Sequence, residues 1–176
     1  FNASILLDKI DINITLIYFN LHFLNPSFVS SLKEQTSPKN TFYQIDIIGD
    51  LAATGNWHTS FKEDIRHFKN IITATENSIG IQADLYQNAG ASIPQQLAYA
   101  LAHANEYLTY YGEDVAAKIH FNFAVGSNYF FEISKLRAFR LLWTSLLKEY
   151  KLPINEAHLF IQPSLRNKTL YDYNVN

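Results

Sequence analysis

Apolar and polar positions alternate with period two from Ile119 to Val125, with Ile119, Phe121, Phe123 and Val125 on one side and His120, Asn122 and Ala124 on the other. That spacing predicts a strand. Gly126 then gives the backbone freedom to turn. Asn128 is suited to cap a helix, because its side-chain oxygen can satisfy an orphan N–H of the first turn. Phe131, Leu136, Phe139, Leu142, Trp143 and Leu146 follow at helical spacing, which predicts a helix over 129–150 with those residues as its buried stripe. A strand, a short turn and a long helix make one β/α unit.

The same pattern recurs along the chain. Strand-like runs cover Asn13–Leu24, Phe42–Ile48, Ile79–Tyr86, Lys118–Val125 and Ala157–Gln162. Asn25-Pro26 opens a short helix through Leu32, with proline tolerated in the first turn. Gly49 to Ser60 reads as a loop. Ser60-x-x-Glu63 is a capping box, and Phe61, Ile65, Phe68 and Ile72 form the buried stripe of the helix it starts. Ser92-x-x-Gln95 starts another, with Ile93, Leu97, Leu101, Ala104, Leu108 and Tyr111 on one face and Gly112 as its stop. Strand starts near 13, 42, 79, 118 and 157 predict an α/β fold with a parallel sheet built from right-handed crossovers. Two architectures fit. Five units could complete a doubly wound domain, or they could be the middle of a (β/α)8 barrel, which needs roughly 250 residues. Periodicity alone does not choose.

Composition narrows the function classes. A chain of 176 residues suits one domain. A net charge of −2 gives no reason to expect a nucleic acid or an anionic membrane as partner. The absence of cysteine removes disulfides and thiolate metal sites. No run reaches the roughly eighteen apolar residues of a spanning helix. The opening Phe1–Asp8 lacks a basic leader region, so a cytoplasmic location is expected. With no methionine, even at position 1, the chain reads as an internal piece of a longer one.

Few side chains suggest chemistry by position alone. His103 and Glu106 stand at i,i+3, but without a third ligand they read as a polar face and not a metal site. Asp46 and Asp84 are placed within strands, where structural pairing is the preferred reading over an acid–base couple. His22 reads as a structural histidine, and Trp57 and Trp143 as core or interface anchors. There is no phosphate loop, nucleophile elbow, zincin motif or dinucleotide fingerprint.

The run Phe123–Trp143 resembles the segment around the sixth barrel strand of methylmalonyl-CoA mutases. There a strand ends in Gly-x-Asn and feeds a helix of the form (F/Y)-F-x-E-I-A-K-L-R-A-x-R-x-L-W. Tyr86–Ala91, followed by Gln96–Ala102, resembles the next recognisable segment upstream. The resemblance favours the barrel and places these strands as about the third to the seventh. Residues 1–176 would then be a partial acyl-CoA mutase barrel domain. The cobalamin-binding domain is not in this chain: none of the six histidines sits in Asp-x-His-x-x-Gly.

The family's reaction is a radical interconversion of methylmalonyl-CoA and succinyl-CoA, for which adenosylcobalamin supplies the chemistry. Its Tyr-His pair, just ahead of Gln-Glu-Ala-Gly-Ala, falls here on Asp84 and Leu85. Leucine cannot hydrogen-bond a thioester oxygen. Its Arg-Thr-His-x-Gln-Thr-Ser-Gly pattern, counted back from Asp172–Asn176, falls on His158–Leu165. Only Gln162 and Ser164 match, and Phe160 replaces the histidine. Asp84, Leu85 and Phe160 are thus degenerate active-site positions. Asn128, Arg137 and Gln162 are retained by family position as vestigial substrate-binding residues. Lys135, Arg137 and Arg140 could meet CoA phosphates, although a solvated helix face is the preferred reading.

Leu165–Thr169, Ile45–Asp50 and Leu51–Trp57 look like the small, non-catalytic subunit of heterodimeric mutases. That implies a large catalytic subunit as partner, with acyl-CoA reached only through it. Adenosylcobalamin would serve the complex, with none expected on this chain. A catalytic mutase for a different acyl-CoA and a free-standing α/β binding module are the alternatives. Two physical expectations accompany this reading. Phe19, Leu85, Phe121, Phe123 and Phe160 should fill the barrel interior. The strands at the two ends should be sticky edges, inviting self-association or cover from Phe1–Lys9 and Arg166–Asn176.

Overall fold

The computed structural model of the chain describes residues 3–168. These form two compact units, 3–80 with 117–119 and 81–116 with 120–168. In the first unit a short helix α1 (Ala3–Leu6) precedes β1 (Ile17–Asn20), which pairs in parallel with β2 (Thr41–Gln44). The other edge of β2 meets the approach to β3 (Ile79–Gln82). Phe42 bridges Asn77 in parallel, Tyr43 N donates to Asn77 O at 2.8 Å, and Gly80 N donates to Ile45 O at 3.2 Å. β2 therefore lies between β1 and the start of β3. A doubly wound 2-1-3 order would put β1 in that place, and a 3-2-1-4 order would pair β4 (Ile119–Val125) with β1, whereas β4 lies beside β3, so neither doubly wound order fits.

Local chemistry sets the helices. α2 (Pro26–Glu34) begins where Asn25 Oδ1 accepts from Phe28 N at 3.0 Å, and it buries Val29 and Leu32. α4 (Phe61–Ala74) begins where Ser60 Oγ accepts from Glu63 N at 3.3 Å. It buries Asp64, Phe68, Ile71 and Ile72, while Phe61 stays exposed and packs edge-on to Trp57 at 5.2 Å. Lys118 Nζ donates to Ile72 O and Thr75 O, which closes the carbonyl end of α4. Phe19 stacks on the buried Tyr43, whose hydroxyl shares a hydrogen bond with Thr36 just beyond α2. Phe19 therefore belongs to the helix side of β1.

Two expectations change here. The run Asn13–Leu24 yields only four strand residues. The segment after β2 is not a strand end and a loop: Asp46 caps a helix, α3 (Ile47–Thr54), by accepting from Gly49 N at 2.9 Å, and Gly55 ends it in the left-handed region at φ 75°. An apolar run as short as Ile45–Ile48 does not distinguish strand from helix by periodicity. Asp46 is a cap, not a strand residue.

In the second unit the strand order is β3-β4-β5. β4 (Ile119–Val125) and β5 (Leu159–Pro163) run in parallel. The stretch expected to extend β3 instead forms α5 (Asp84–Asn88), so Asp84 and Leu85 are helical. α6 (Ile93–Tyr111) starts where Gln95 Oε1 accepts from both Ser92 N and Ser92 Oγ at 2.9 Å. Its buried residues are Gln96, Ala100, His103, Ala104, Tyr107 and Leu108, so the stripe is rotated from the expected Leu97 and Leu101 face. His103 is not on a polar face: it is buried, within 3.3 Å of Tyr86 OH, and stacked on Tyr107 at 5.8 Å.

α7 (Tyr129–Glu149) buries Glu132, Lys135, Phe139, Trp143 and Leu147, while Phe131 and Leu142 of the expected stripe are exposed. Phe139 meets Phe121 and Phe123 edge-to-face at 4.5 and 4.8 Å, and Trp143 meets Phe121 at 5.1 Å. Each such ring stabilises the sheet–helix layer by roughly 1.5–3 kcal/mol. Phe121 and Phe123 thus fill the core under α7 and do not occupy the opposite sheet face, as the filled-barrel expectation required. The Arg166–Asn176 tail, expected to cover an edge, lies in part outside the described residues, as does Phe1-Asn2. Among the described residues no helix is long and apolar enough to cross a membrane.

Candidate functional site

Alternation along β4 turns His120, Asn122 and Ala124 to the sheet face opposite Phe121 and Phe123. In the parallel register Asn122 stands beside Phe160 and Ala124 beside Gln162. The polar side chains His120 and Asn122 are 1% and 5% exposed. The ring of His158 lies 6.4 Å from that of His120. Burial holds the His158 imidazole below the usual histidine range, because desolvation disfavours its charged form.

At the C-terminal end of this face, Gln162 Nε2 donates to Asp84 Oδ2 at 2.8 Å. Leu85 follows Asp84 on α5, and Phe160 is half-buried two residues before Gln162. The structure therefore brings Asp84, Phe160 and Gln162 together on one side of the sheet. Asn88, where the family pattern has Glu, accepts from Ser164 Oγ at 3.1 Å and Leu165 N at 2.9 Å. Asn128 is the cap of α7, accepting from Phe131 N at 3.3 Å. Arg137 is exposed on α7, in the helix layer, and does not join Asp84 and Gln162. Arg140 is exposed as well.

Lys135 departs from both readings made of it. It is 1% exposed, and its Nζ donates to Ala124 O at 2.7 Å, donates to Gln96 Oε1 at 3.0 Å, and pairs with the Glu132 carboxylate. It is neither a solvated charge nor available to a phosphate. Glu132 Oε1 in turn accepts from Gly126 N at 2.9 Å. Its i,i+3 spacing to Lys135 was the available sequence signal, but the spacing alone does not reveal burial.

The first unit holds a separate cavity of about 370 Å³, lined by His22, Asp50, Thr54, Asn56, Trp57 and His58. His58 Nε2 lies 3.1 Å from Asp50 Oδ2, and His22 Nδ1 lies 3.9 Å from Asp50 Oδ1. His22 is largely exposed, not a core histidine. Among the described residues no cluster of three or more such side chains could hold a metal ion.

Parallel strands in chain order, with polar side chains converging at their C-terminal ends, define a barrel-type α/β chain. The methylmalonyl-CoA mutase family model matches residues 3–176, and the chain belongs to that family as a fragment of its (β/α)8 barrel. It is 40% identical over 108 residues to the methylmalonyl-CoA mutase small subunit of Porphyromonas gingivalis, covering 56% of this chain and 18% of that one. It is 33% identical over 160 residues to the methylmalonyl-CoA mutase of Rhizobium meliloti, covering 82% and 22%. It is 41% identical over 80 residues to the large subunit from Porphyromonas gingivalis, covering 42% and 11%. These matches span no more than 22% of the relatives' length.

Proposed function

We propose that this chain is part of the small, non-catalytic subunit of an adenosylcobalamin-dependent methylmalonyl-CoA mutase, located in the cytoplasm and assembled with a large catalytic subunit. The observation that carries this reading is the Asp84–Gln162 hydrogen bond. Where an active member holds the thioester oxygen with histidine, this chain has Leu85, and the preceding carboxylate is tied to a neighbouring strand. Phe160 offers no polar atom at the second degenerate position. The residues at these positions do not fit adenosylcobalamin or an acyl thioester as reacting groups: Leu85 and Phe160 carry no polar side-chain atom, and Asp84 Oδ2 already accepts from Gln162. On this reading Asn128, Arg137 and Gln162 are remnants of substrate binding, and acyl-CoA and cofactor bind through the partner. The occurrence of both small and large subunits among the relatives from one organism supports the heterodimer.

A second reading, a catalytic mutase for a different acyl-CoA, draws on the buried polar face of His120 and Asn122. One experiment separates the two. The protein is co-expressed with a large mutase subunit, the complex is isolated, and adenosylcobalamin-dependent isomerisation is assayed for the complex and for each component. Cofractionation with turnover confined to the complex or the large subunit supports the first reading. Turnover by this protein alone, with any acyl-CoA, would replace it with the second. Sedimentation of the isolated chain shows whether the β1 and β5 edges drive the expected self-association.

A further inference from the structure

The cavity of about 370 Å³ in the first unit has a wall chemistry that the mutase reading does not use, and none of Asp84, Leu85, Asn128, Arg137, Phe160 or Gln162 lines it. It lies where α/β folds place ligand sites, beyond the C-terminal ends of parallel strands. His22 stands just after β1, Asp50 is on α3 after β2, and Trp57 and His58 are in the loop that leads to α4. That loop is held in place. Asp64, 1% exposed, accepts from His58 N at 2.8 Å and from Thr59 N at 3.1 Å.

The lining contains one carboxylate, Asp50, and no lysine or arginine; its two histidines carry charge only when protonated. The Asp50 carboxylate lies between those two lining rings, with His58 Nε2 3.1 Å from Oδ2 and His22 Nδ1 3.9 Å from Oδ1. α3 ends at this cavity, so the negative end of its dipole adds to the field. Trp57 supplies an aromatic wall, steadied by the edge-on ring of Phe61. A carboxylate and an indole on one cavity favour a cation. The polar groups at the end of α3 are committed to one another. Thr54 Oγ1 donates to Asp50 O at 2.8 Å and accepts from Asn56 N at 3.2 Å, and Asn56 Nδ2 donates to Thr54 O at 3.1 Å. Recognition by charge and ring contact, without a network of hydrogen bonds, suits a cation that has no N–H to donate.

We propose that this cavity binds a quaternary ammonium group. The alkylated cation lies against the Trp57 ring and faces the Asp50 carboxylate, which His58 holds in place. The volume, at the small end of ligand pockets, suits one such group with a short substituent. This inference goes beyond the mutase reading and stands or falls separately from it.

Isothermal titration of the intact protein with choline tests it, at about pH 8, above the ordinary histidine range. Choline should bind saturably. The neutral alcohol with carbon in place of the choline nitrogen has the same shape and should bind about tenfold more weakly. Choline should also perturb the fluorescence of Trp57, which is half-buried at the cavity, whereas Trp143 is 1% exposed and belongs to the second unit. Asp50→Asn should weaken choline binding about tenfold. Asp50 is buried and its replacement can cost stability, so the Trp57 variants give an independent measure. Trp57→Leu should weaken binding about tenfold, and Trp57→Phe, which keeps an aromatic face, should retain most of it. The inference is overturned by no saturable binding of choline, by equal binding of the neutral alcohol, or by binding that Trp57→Leu leaves unaltered.

Discussion

Asp84 at the start of α5 accepts a hydrogen bond from Gln162 on β5, joining residues 78 positions apart in the chain. The bond ties the start of α5, just after β3, to the C-terminal end of β5. Asp84→Ala should cost about 1–2 kcal/mol, because Gln162 Nε2 is left in a half-buried place without its acceptor. A urea midpoint that falls with an unchanged slope would show this as lost stability. A double change with Gln162→Ala should be less than additive. The isomerisation rate of the complex should stay the same; a rate loss at unchanged stability would contradict the non-catalytic reading.

Lys135 is the most demanding side chain in the second unit. Removing its charge by Lys135→Met strands the Glu132 carboxylate, which should cost about 3–5 kcal/mol. Lys135→Met with Glu132→Gln should recover part of that, since the glutamine oxygen can still accept from Gly126 N. If the double variant were no more stable than the single one by thermal unfolding, the ion pair would not be what holds this turn.

Gly126 is required for space and not for an unusual backbone. A Cβ there would stand 3.1 Å from both Gln87 Nε2 and Glu132 Oε1, whereas Gly90 has φ 97° and open surroundings. Gly126→Ala should therefore destabilise by about 1 kcal/mol through crowding. Gln87→Ala in the same chain should relieve it. Gly90→Ala should cost about 1 kcal/mol by conformation, and no neighbouring truncation should help. Equal rescue at both sites would argue against this distinction.

His158 has a pKa lowered by burial, so the fold resists its protonation. The sign follows directly. The contribution is fully present above about 6.5, the unfolded histidine value, and is lost as pH falls toward the lower folded value. His158→Asn should flatten that part of the stability profile measured by denaturant titration across the acidic range. A His158 proton resonance titrating above the ordinary histidine midpoint would reverse the expectation.

Much of this was visible in local pattern. The strand Ile119–Val125, the Asn128 cap and the helix after it follow from period-two alternation, one Asx side chain and helical spacing. The starts of α2, α4 and α6 follow from Asn25, Ser60 and Ser92–Gln95. The family was legible in the segments 86–102 and 123–143, because both keep residue types at fixed spacing that no amphipathic pattern requires. α3 and α5 were missed. Each is short and follows directly on a strand, where strand and helix periods have too few residues to differ.

Sequence alone determined the order of the five strands and of the helices α2, α4, α6 and α7, and the parallel β/α class. Tertiary structure decided the rest. It put β2 between β1 and the start of β3, turned Phe121 and Phe123 under α7, buried Lys135, and joined Asp84 to Gln162. The physical reason is range. Capping and periodicity act over a few residues and are written in neighbouring letters. Which face a strand turns inward, and whether a lysine finds a buried carboxylate and two oxygens, depends on groups brought together from distant parts of the chain.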